Sequence, residues 1–157
     1  DILRISVEKT NIYAPKECME QLEPLPGWAI DVTPEKVFQA GPFIITAIPA
    51  YSTRGDRHPE SSGWCGYLID FGDMTVYHSG DTCLVPEMKI ATHPDYALLP
   101  VSGGSVMTAE EAARAVSMIK PRIAIPMHYV PDEYGKKSAE VFRDLCGSAV
   151  QILKASG

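Results

Sequence analysis

The strongest structural signal in this chain is a pair of short apolar runs, rich in β-branched and aromatic residues, on either side of a turn. The runs are residues 64–71 and 74–77, and Gly72-Asp73 stands between them, which predicts a β-hairpin. The second run stops at Ser79-Gly80, where glycine accepts a backbone geometry that other residues avoid. Asp81 is therefore expected at the carboxyl end of a strand, where α/β sheets carry function, although capping the next turn is the more common role of an Asp in this position.

The rest of the chain alternates strand and helix patterns bounded by Gly and Pro. Further strands are predicted at residues 11–14, 28–32, 36–40, 43–50, 96–101, 122–127 and 149–153. Helices are predicted at residues 1–8, 16–22, 109–120 and 137–145, with one or two helical turns at 86–90. Thr108 and Glu111 form a capping box for the helix at 109–120. The expected architecture is one mixed α/β (α+β) domain over residues 1–157, with a long loop at 51–63.

Charge and composition exclude several classes of partner. A formal net charge of -6 over 157 residues leaves no basic surface, so nucleic acid and anionic membranes are not expected as partners. No apolar run approaches the length of a membrane span and the first residues lack a secretory layout, so a cytoplasmic location is expected. The cysteines stand singly, which argues against a disulfide framework or a zinc knuckle: Cys18, Cys65, Cys83 and Cys146.

Three polar residues follow predicted strands in the manner of ligands at a sheet edge. His58 lies in the loop after the strand at 43–50, Asp81 follows the hairpin, and His128 ends the strand at 122–127. Imidazole and carboxylate groups suit a borderline cation such as Zn²⁺. The sequence separations are too large for spacing to show whether the three side chains meet, so separate structural roles stay open at this point.

Other polar residues are given structural interpretations. His78, on the strand side of the Ser79-Gly80 turn, is interpreted as a structural histidine, and His93 as a surface loop residue. Asp95 is interpreted either as support for a ligand or as a cap for the strand that follows it. The glycine-rich residues 102–105 lack the lysine of a phosphate loop and are assigned to the rim of a cleft.

Several sequence blocks resemble one known family. They are ITAIPAY, HPESSGWCGYLIDFGDMTVYHSGDT, VPEM, DYALLPVSGG, MTAEEAARAVSMIKP and RIAIPMHY. Together they are similar to the second half of a metallo-β-lactamase-fold metal-dependent hydrolase, of the branch that contains the ascorbate-phosphate-lactonase-like proteins. The resemblance implies a four-layer αβ/βα sandwich with two divalent metals, Zn or Mn, at the top of facing sheets. It also implies that Asp81 bridges the metals, that His128 belongs to the second metal, and that His58 completes the set. Asp81 and His128 would then be the catalytic residues.

The resemblance also implies an activity, although one signature of the family is absent from this sequence. The family hydrolyses small molecules of ester, lactone or phosphoester type with a metal-activated water. Its H-x-H-x-D-H signature is absent from these 157 residues. The expectation is therefore that this chain alone holds one metal or none and is nearly inactive, and that it forms a homo-oligomer or pairs with a chain that supplies the missing half. A non-enzymatic interaction or assembly module derived from the same fold is the alternative.

Overall fold

The computed structural model describes residues 8–20, 28–130 and 133–153. The predicted helix at 1–8 therefore falls almost entirely outside the described residues, as does the end of the predicted helix at 16–22.

In the described residues eight strands form two sheets, and each end of these strands lies within one residue of its prediction. The strands are β1 Asn11–Ala14, β2 Trp28–Asp31, β3 Val37–Ala40, β4 Phe43–Pro49, β5 Cys65–Asp70, β6 Thr75–His78, β7 Tyr96–Pro100 and β8 Ile123–Met127. β1 and β2 pair in parallel, and the other six form one sheet in the order β3-β4-β5-β6-β7-β8. The predicted hairpin is confirmed, because β5 and β6 pair antiparallel with Tyr67 opposite His78.

The direction of the strands explains where function can gather. From β3 to β6 each strand is antiparallel to the next, whereas β6, β7 and β8 are parallel to one another. β4 therefore runs in the same direction as β6, since two antiparallel steps separate them. The carboxyl ends of β4, β6, β7 and β8 consequently lie along one border of the six-stranded sheet, which we call the carboxyl edge; the opposite border is the amino edge.

Helices lie between the strands where capping and turn residues place them. They are α1 Lys16–Glu20, α2 Ala109–Ile119 and α3 Glu133–Cys146, with 3-10 helices at Glu60–Ser62, Pro86–Ala91 and Gly147–Ala149. The predicted capping box is confirmed: the Glu111 amide donates to Thr108 Oγ1 at 3.3 Å and the Thr108 amide donates to Glu111 Oε2 at 2.9 Å. α3 begins four residues earlier than the predicted 137.

The strand predicted at 149–153 is wrong. Gly147, with φ of 66°, ends α3 and leads into the 3-10 turn at Gly147–Ala149. The chain then makes a single bridge, Val150 to Ala124, supported by a Gln151 amide to Ala124 carbonyl hydrogen bond of 2.9 Å. The 3-10 turn includes Ala149, the first residue of the predicted strand, and in the described residues only Val150 then pairs with β8.

The two faces of the six-stranded sheet differ in burial. On one face Tyr77, Ala97 and Ala124 are completely buried and belong to the same cluster as Met88, Ala112, Ile119 and Phe142. On the other face, Ile69, Leu98 and Ile125 are only partly buried. The core therefore lies between the sheet and the α2–α3 layer. No helix in the described part of the chain has the length and apolarity that crossing a membrane requires.

Candidate functional site

The three side chains selected from the sequence meet at the carboxyl edge. His128 Nε2 lies 3.2 Å from Asp81 Oδ2, and His58 Nε2 lies 3.7 Å from the same oxygen. The side chains of His58, Asp81 and His128 are 23%, 38% and 47% exposed, so a small molecule can reach them. The structure thus brings together one carboxylate and two imidazoles from three separate connections of the sheet.

Asp81 is placed by a close approach between β5 and the turn after β6. The Ser79 amide donates to the Leu98 carbonyl at 3.1 Å, which carries the turn past the end of β6. A methyl group on Gly66 would lie 2.5 Å from the Ser79 carbonyl oxygen and 2.8 Å from that of His78. Only glycine fits at position 66 without moving the turn, and Gly80 follows with a φ of 67°. These two glycines together set the position of Asp81.

His58 is placed by a loop that is tied at both ends. The Ser52 amide donates to the His58 carbonyl at 2.7 Å, which closes the loop on itself. Tyr51 is joined to the segment after Asp81, because its amide donates to Thr82 Oγ1 at 3.2 Å and its carbonyl accepts from the Cys83 amide at 2.8 Å. The His58 ring packs edge-on to Trp64, with centroids 5.0 Å apart. The loop therefore delivers His58 to Asp81 as a fixed unit.

His128 follows β8 directly and is held by a neighbouring strand end. The Val101 amide donates to the Met127 carbonyl at 3.2 Å, which extends the β7–β8 pairing towards the site. Ser102 Oγ lies 3.1 Å from His128 Nδ1, so the ring nitrogen that faces away from Asp81 has a hydrogen-bond partner. By contrast, Nδ1 of His58 is buried and has no hydrogen-bond partner within the described residues.

Both histidines of this site have a left-handed backbone. The φ angles are 56° for His58 and 55° for His128, a region that costs a residue with a side chain roughly 1–2 kcal/mol. Such conformations persist where the surrounding structure holds them, and they concentrate at functional sites. Glu35, His93 and Lys120, which are outside the site, also have positive φ, so this conformation alone does not mark His58 and His128 as functional.

Three further residues considered in the sequence, His78, His93 and Asp95, make other hydrogen bonds. The Gly80 amide donates to His78 Nδ1 at 3.2 Å; burial lowers the pKa of His78, an effect that nearby Asp81 opposes. His93 is exposed, as predicted. Asp95 lies at the amino edge, where its side chain accepts hydrogen bonds from Thr75, the first residue of β6. It therefore caps the neighbouring strand β6 rather than β7, the strand that follows it, and it does not support a ligand at the carboxyl edge.

Sequence reasoning missed the residues that support the site. Ser102 belonged to a segment assigned only to a cleft rim, and its contact with His128 depends on β7 lying beside β8. For Thr82, the sequence indicated only that it follows Asp81 and gave no sign of its contact with Tyr51. Arg54, an ordinary charged loop residue in sequence, donates to Glu111 Oε2 at 2.8 Å and to the Val106 carbonyl at 2.7 Å. It therefore ties the His58 loop to the start of α2.

Arg54 also contacts a buried thiol beside the site. Its Nη2 lies 3.4 Å from Cys83 Sγ, and Ser52 Oγ lies 3.5 Å from the same sulfur. Burial raises the pKa of Cys83, but hydrogen bonds from Ser52, Thr53 and Arg54 outweigh it and lower the pKa below its ordinary value. The thiol is thus part of the polar support beneath the His58 loop.

The spacing of the three side chains is close to that of metal ligands. Ligand atoms bound at 2.0–2.2 Å around a tetrahedral zinc ion lie about 3.4 Å from one another. The two histidine-to-Asp81 distances, 3.2 and 3.7 Å, stand on either side of that value. In the described parts of the chain, however, no group of three or more His, Cys, Asp or Glu side chains is arranged so that it could hold a metal ion. Each histidine–Asp81 pair therefore has the spacing of two ligands, whereas coordination by all three side chains together would require them to move.

A cavity adjoins the site through Ser102. Its volume is about 430 Å³, within the range of small-molecule pockets. Its polar lining consists of hydroxyl groups, one ammonium group and one carboxylate: Ser102, Thr108, Tyr134, Ser138, Lys137 and Glu110.

Comparison with known proteins gives one family match and a consistent set of relatives. The family model described as a beta-lactamase superfamily domain matches residues 1–128. A UPF0173 metal-dependent hydrolase of Pyrococcus furiosus is 34% identical over 113 residues, which are 69% of this chain and 50% of that protein. One from Staphylothermus marinus is 43% identical over 96 residues, 57% of this chain and 42% of that protein. The chain thus spans about half the length of these curated relatives.

Solved structures agree with this result. A candidate metal-dependent hydrolase from Parabacteroides distasonis superposes with a TM-score of 0.77 at 30% identity, over 94% of this chain and 66% of that one. The metallo-beta-lactamase fold protein YhfI from Bacillus subtilis also gives a TM-score of 0.77, over 97% of this chain and 64% of that one. Because its identity is 16%, the second likeness concerns the fold alone.

Proposed function

Because the chain belongs to the beta-lactamase superfamily domain family, we propose that it acts as a metal-dependent hydrolase. The family resemblance and the mixed α/β fold of metallo-β-lactamase type that the sequence predicts are confirmed. The activity itself is our proposal, because the chain spans only about half of its relatives.

One observation carries the proposal: Nε2 of His58 and Nε2 of His128 both lie close to Asp81 Oδ2, at an accessible edge of the sheet. Three ligands of these types, with further positions open, are typical of a catalytic cation site. We propose that the three side chains hold a divalent ion, Zn²⁺ or Mn²⁺. Asp81 lies between the two imidazoles and would be the central ligand.

The chemistry divides between the ion and the chain. A divalent ion bound there would lower the pKa of a water molecule and polarise the oxygen of a carbonyl or phosphoryl group. Asp81 would accept a hydrogen bond from that water, and His58 and His128 would hold the ion through their Nε2 atoms. The 430 Å³ cavity beside Ser102 would hold the substrate, with Lys137 available to an anionic group. This lining, in which Lys137 and Glu110 carry opposite charges, fits a small polar molecule; the ester, lactone or phosphoester type rests on the family resemblance.

A second candidate function, assembly, is favoured by the partly exposed sheet face. Ile69, Leu98 and Ile125 lie on the face opposite α2 and α3, and each keeps some exposure. Apolar surface of this kind commonly marks a contact with another chain. We propose a homo-oligomer, or a complex with a chain that covers this face, and sedimentation of wild type against Leu98→Lys tests it. A sedimentation coefficient that is monomeric and equal for both proteins would contradict assembly.

The proposed location and partners rest on the cysteines and on the net charge. Cys18, Cys65, Cys83 and Cys146 are all free thiols, which fits a reducing compartment and supports the proposed cytoplasmic location. The net charge of -6 favours small-molecule substrates over nucleic acid or membrane partners.

Metal content and turnover test the proposed enzyme. The protein is dialysed with Zn²⁺ or Mn²⁺, its bound metal is measured by elemental analysis, and hydrolysis of nitrophenyl esters, lactones and phosphodiesters is followed. We expect bound metal that Asp81→Ala removes. Because the H-x-H-x-D-H signature is absent from these residues, we expect low turnover, and Asp81→Ala should remove what there is. Turnover that survives Asp81→Ala, or wild-type protein that retains no metal, would refute the proposal.

A further inference from the structure

Another cavity lies between two loops that follow strands at the carboxyl edge. Its volume is about 550 Å³, and its lining consists of residues 54–57 from the His58 loop and residues 104–105 from the loop after β7. We propose that this cavity, which we call the arginine cavity, binds an oxyanion of the phosphate type, and that Arg57 is the residue that selects for it. Its use in holding the anionic part of a substrate rests on the proposed hydrolase function, whereas binding of the anion itself needs no metal.

Arg54 forms the fixed side of the arginine cavity. The hydrogen bonds that its guanidinium makes with the described residues all use Nη2, and the acceptors are the Val106 carbonyl at 2.7 Å, Glu111 Oε2 at 2.8 Å and Cys83 Sγ at 3.4 Å. The N–H groups on Nε and Nη1 therefore keep their capacity to donate. Because the side chain is 41% exposed, an anion from solvent can reach these groups.

Arg57 supplies a charge that is not neutralised by contact with another side chain. Its guanidinium is exposed and makes no ion pair or hydrogen bond within the described residues. The backbone of the loop is nevertheless held, because the Ser52 amide donates to the His58 carbonyl at 2.7 Å. The Arg57 side chain can therefore bind an anion without first breaking a contact of its own.

Backbone amides of the opposite loop add neutral donors to the arginine cavity. The Gly103 amide donates to the Met107 carbonyl at 2.9 Å, whereas the amides of Gly104 and Ser105, which follow it, make no hydrogen bond with the described residues. A methyl group on Gly104 would meet nothing within 4 Å, so the space beside this residue is open. Successive amides in a turn are a common means of binding anions in proteins.

The charges around the arginine cavity favour an anion over a cation. Arg54 and Arg57 carry two positive charges, and Asp56 contributes one negative charge. Glu111 offsets part of the charge of Arg54, but its carboxylate also lies 3.8 Å from Arg114 Nη2, so it neutralises neither arginine fully. A phosphate group has several terminal oxygens, so it can accept from guanidinium groups and from amides on the other side of the cavity together.

Phosphate affinity of the metal-free protein tests the inference. The full chain is treated with EDTA so that phosphate cannot bind through a metal, and inorganic phosphate is titrated by calorimetry. Hydrogen bonds to charged groups are worth enough that we expect Arg57→Ala to weaken phosphate binding by about 10-fold or more. Asp56→Asn, which removes a like charge at the surface, should strengthen binding by about 2- to 5-fold.

An arginine outside the lining provides the matched control. Arg143 is exposed on α3, where its Nη2 lies 3.4 Å from Asp144 Oδ1, and Arg143→Ala removes the same charge as Arg57→Ala. Its phosphate affinity should stay within about 2-fold of wild type, because a distant surface charge is screened by salt. Equal losses from the two variants would mean that only the net charge matters, and they would overturn the inference.

Spectra and further ligands locate the anion. We expect phosphate to shift the ¹H–¹⁵N signals of Gly104 and Ser105 and acetate to bind more weakly than phosphate. Unchanged signals, equal acetate affinity, or an affinity that Asp56→Asn leaves unchanged would overturn the assignment to this cavity. A larger loss from Lys137→Ala than from Arg57→Ala would do the same, because it would place the anion in the cavity beside Ser102.

The outcome is separable from that of the proposed hydrolase function. Wild-type protein that binds zinc but shows no saturable binding of phosphate would overturn the anion site and leave the metal site intact. Wild-type protein that binds phosphate through Arg57 but retains no zinc would instead overturn the proposed function, and with it the role of the anion as part of a substrate.

Discussion

Two aspartates at opposite edges of the same sheet have very different surroundings. At the amino edge, Asp95 Oδ2 accepts from the Thr75 amide at 2.9 Å and the Thr75 hydroxyl at 3.2 Å, and Oδ1 lies 3.3 Å from Arg122 Nε. At the carboxyl edge, Asp81 faces two imidazole nitrogens at 3.2 and 3.7 Å, and no backbone donor reaches its carboxylate within the described residues.

This difference separates a structural carboxylate from one available to a ligand. The donors around Asp95 hold its charge in place, and hydrogen bonds from Thr75, with Arg122 nearby, keep its pKa below the ordinary value. Asp81 keeps lone pairs free and is surrounded by groups that can give up a proton and bind a cation. An aspartate with its acceptors satisfied stabilises the fold, whereas one with open acceptors can do chemistry.

The largest expected effect separates the two aspartates by activity. Asp81→Ala should lower turnover and zinc affinity by more than about 100-fold, because loss of a ligand costs more than loss of a ligand's partner. Asp95→Ala should keep both within the range of wild type while lowering stability. Steady-state kinetics and chelator competition on both variants measure this, and equal losses from the two would break the comparison.

Replacing one glycine near each edge by alanine sharpens the comparison of the two edges. Gly66→Ala forces a methyl group against the Ser79 carbonyl, so we expect a loss of about 1–3 kcal/mol in the free energy of unfolding and weaker zinc binding. Gly72 in the hairpin turn has a φ of 93° but open space around it, so Gly72→Ala should cost about 1–2 kcal/mol without changing zinc affinity. Urea unfolding and zinc titration of both variants distinguish the outcomes; unchanged zinc affinity in Gly66→Ala would show that the turn does not position Asp81.

The two imidazoles should contribute unequally to zinc binding. His128 is supported through Ser102, whereas a proton on His58 Nδ1 would be buried and unpaired, which typically costs about 1–3 kcal/mol. We therefore expect His128→Ala to weaken zinc binding about 10-fold more than His58→Ala, a difference within that energy range. Calorimetric titration of both variants measures it, and a larger loss from His58→Ala would reverse our ranking.

The smallest expected effect is the pH dependence that Asp95 gives to stability. Its pKa is lowered in the folded protein, so its stabilising contribution is present above the unfolded value of about 3.9 and is lost as pH falls through the lower folded value. Wild type should therefore be more stable than Asp95→Asn near neutral pH, and the gap should narrow below about pH 4. Urea midpoints across this range test it; a gap that is constant with pH would mean that the Asp95 charge plays no part.

Local patterns account for most of the fold. The strands lie within one residue of prediction because Gly and Pro bound each apolar run, and α2 begins where Thr108 and Glu111 place a capping box. The errors fall at the carboxyl end, where α3 begins before the predicted 137 and the predicted strand at 149–153 becomes a 3-10 turn and one bridge. Whether residues 149–153 pair with β8 depends on the tertiary structure, which a short apolar run does not encode.

For the candidate site, the sequence determined which residues follow strands and which chemistry they carry: a carboxylate at Asp81 and imidazoles at His58 and His128. The tertiary structure alone decided that these groups meet, because meeting requires β4, β6 and β8 to point the same way in one sheet. It also decided the role of Ser102, since a hydrogen bond between residues 26 positions apart depends on which strands are neighbours. Residue type is local, but the distance between two atoms depends on the whole path of the chain between them.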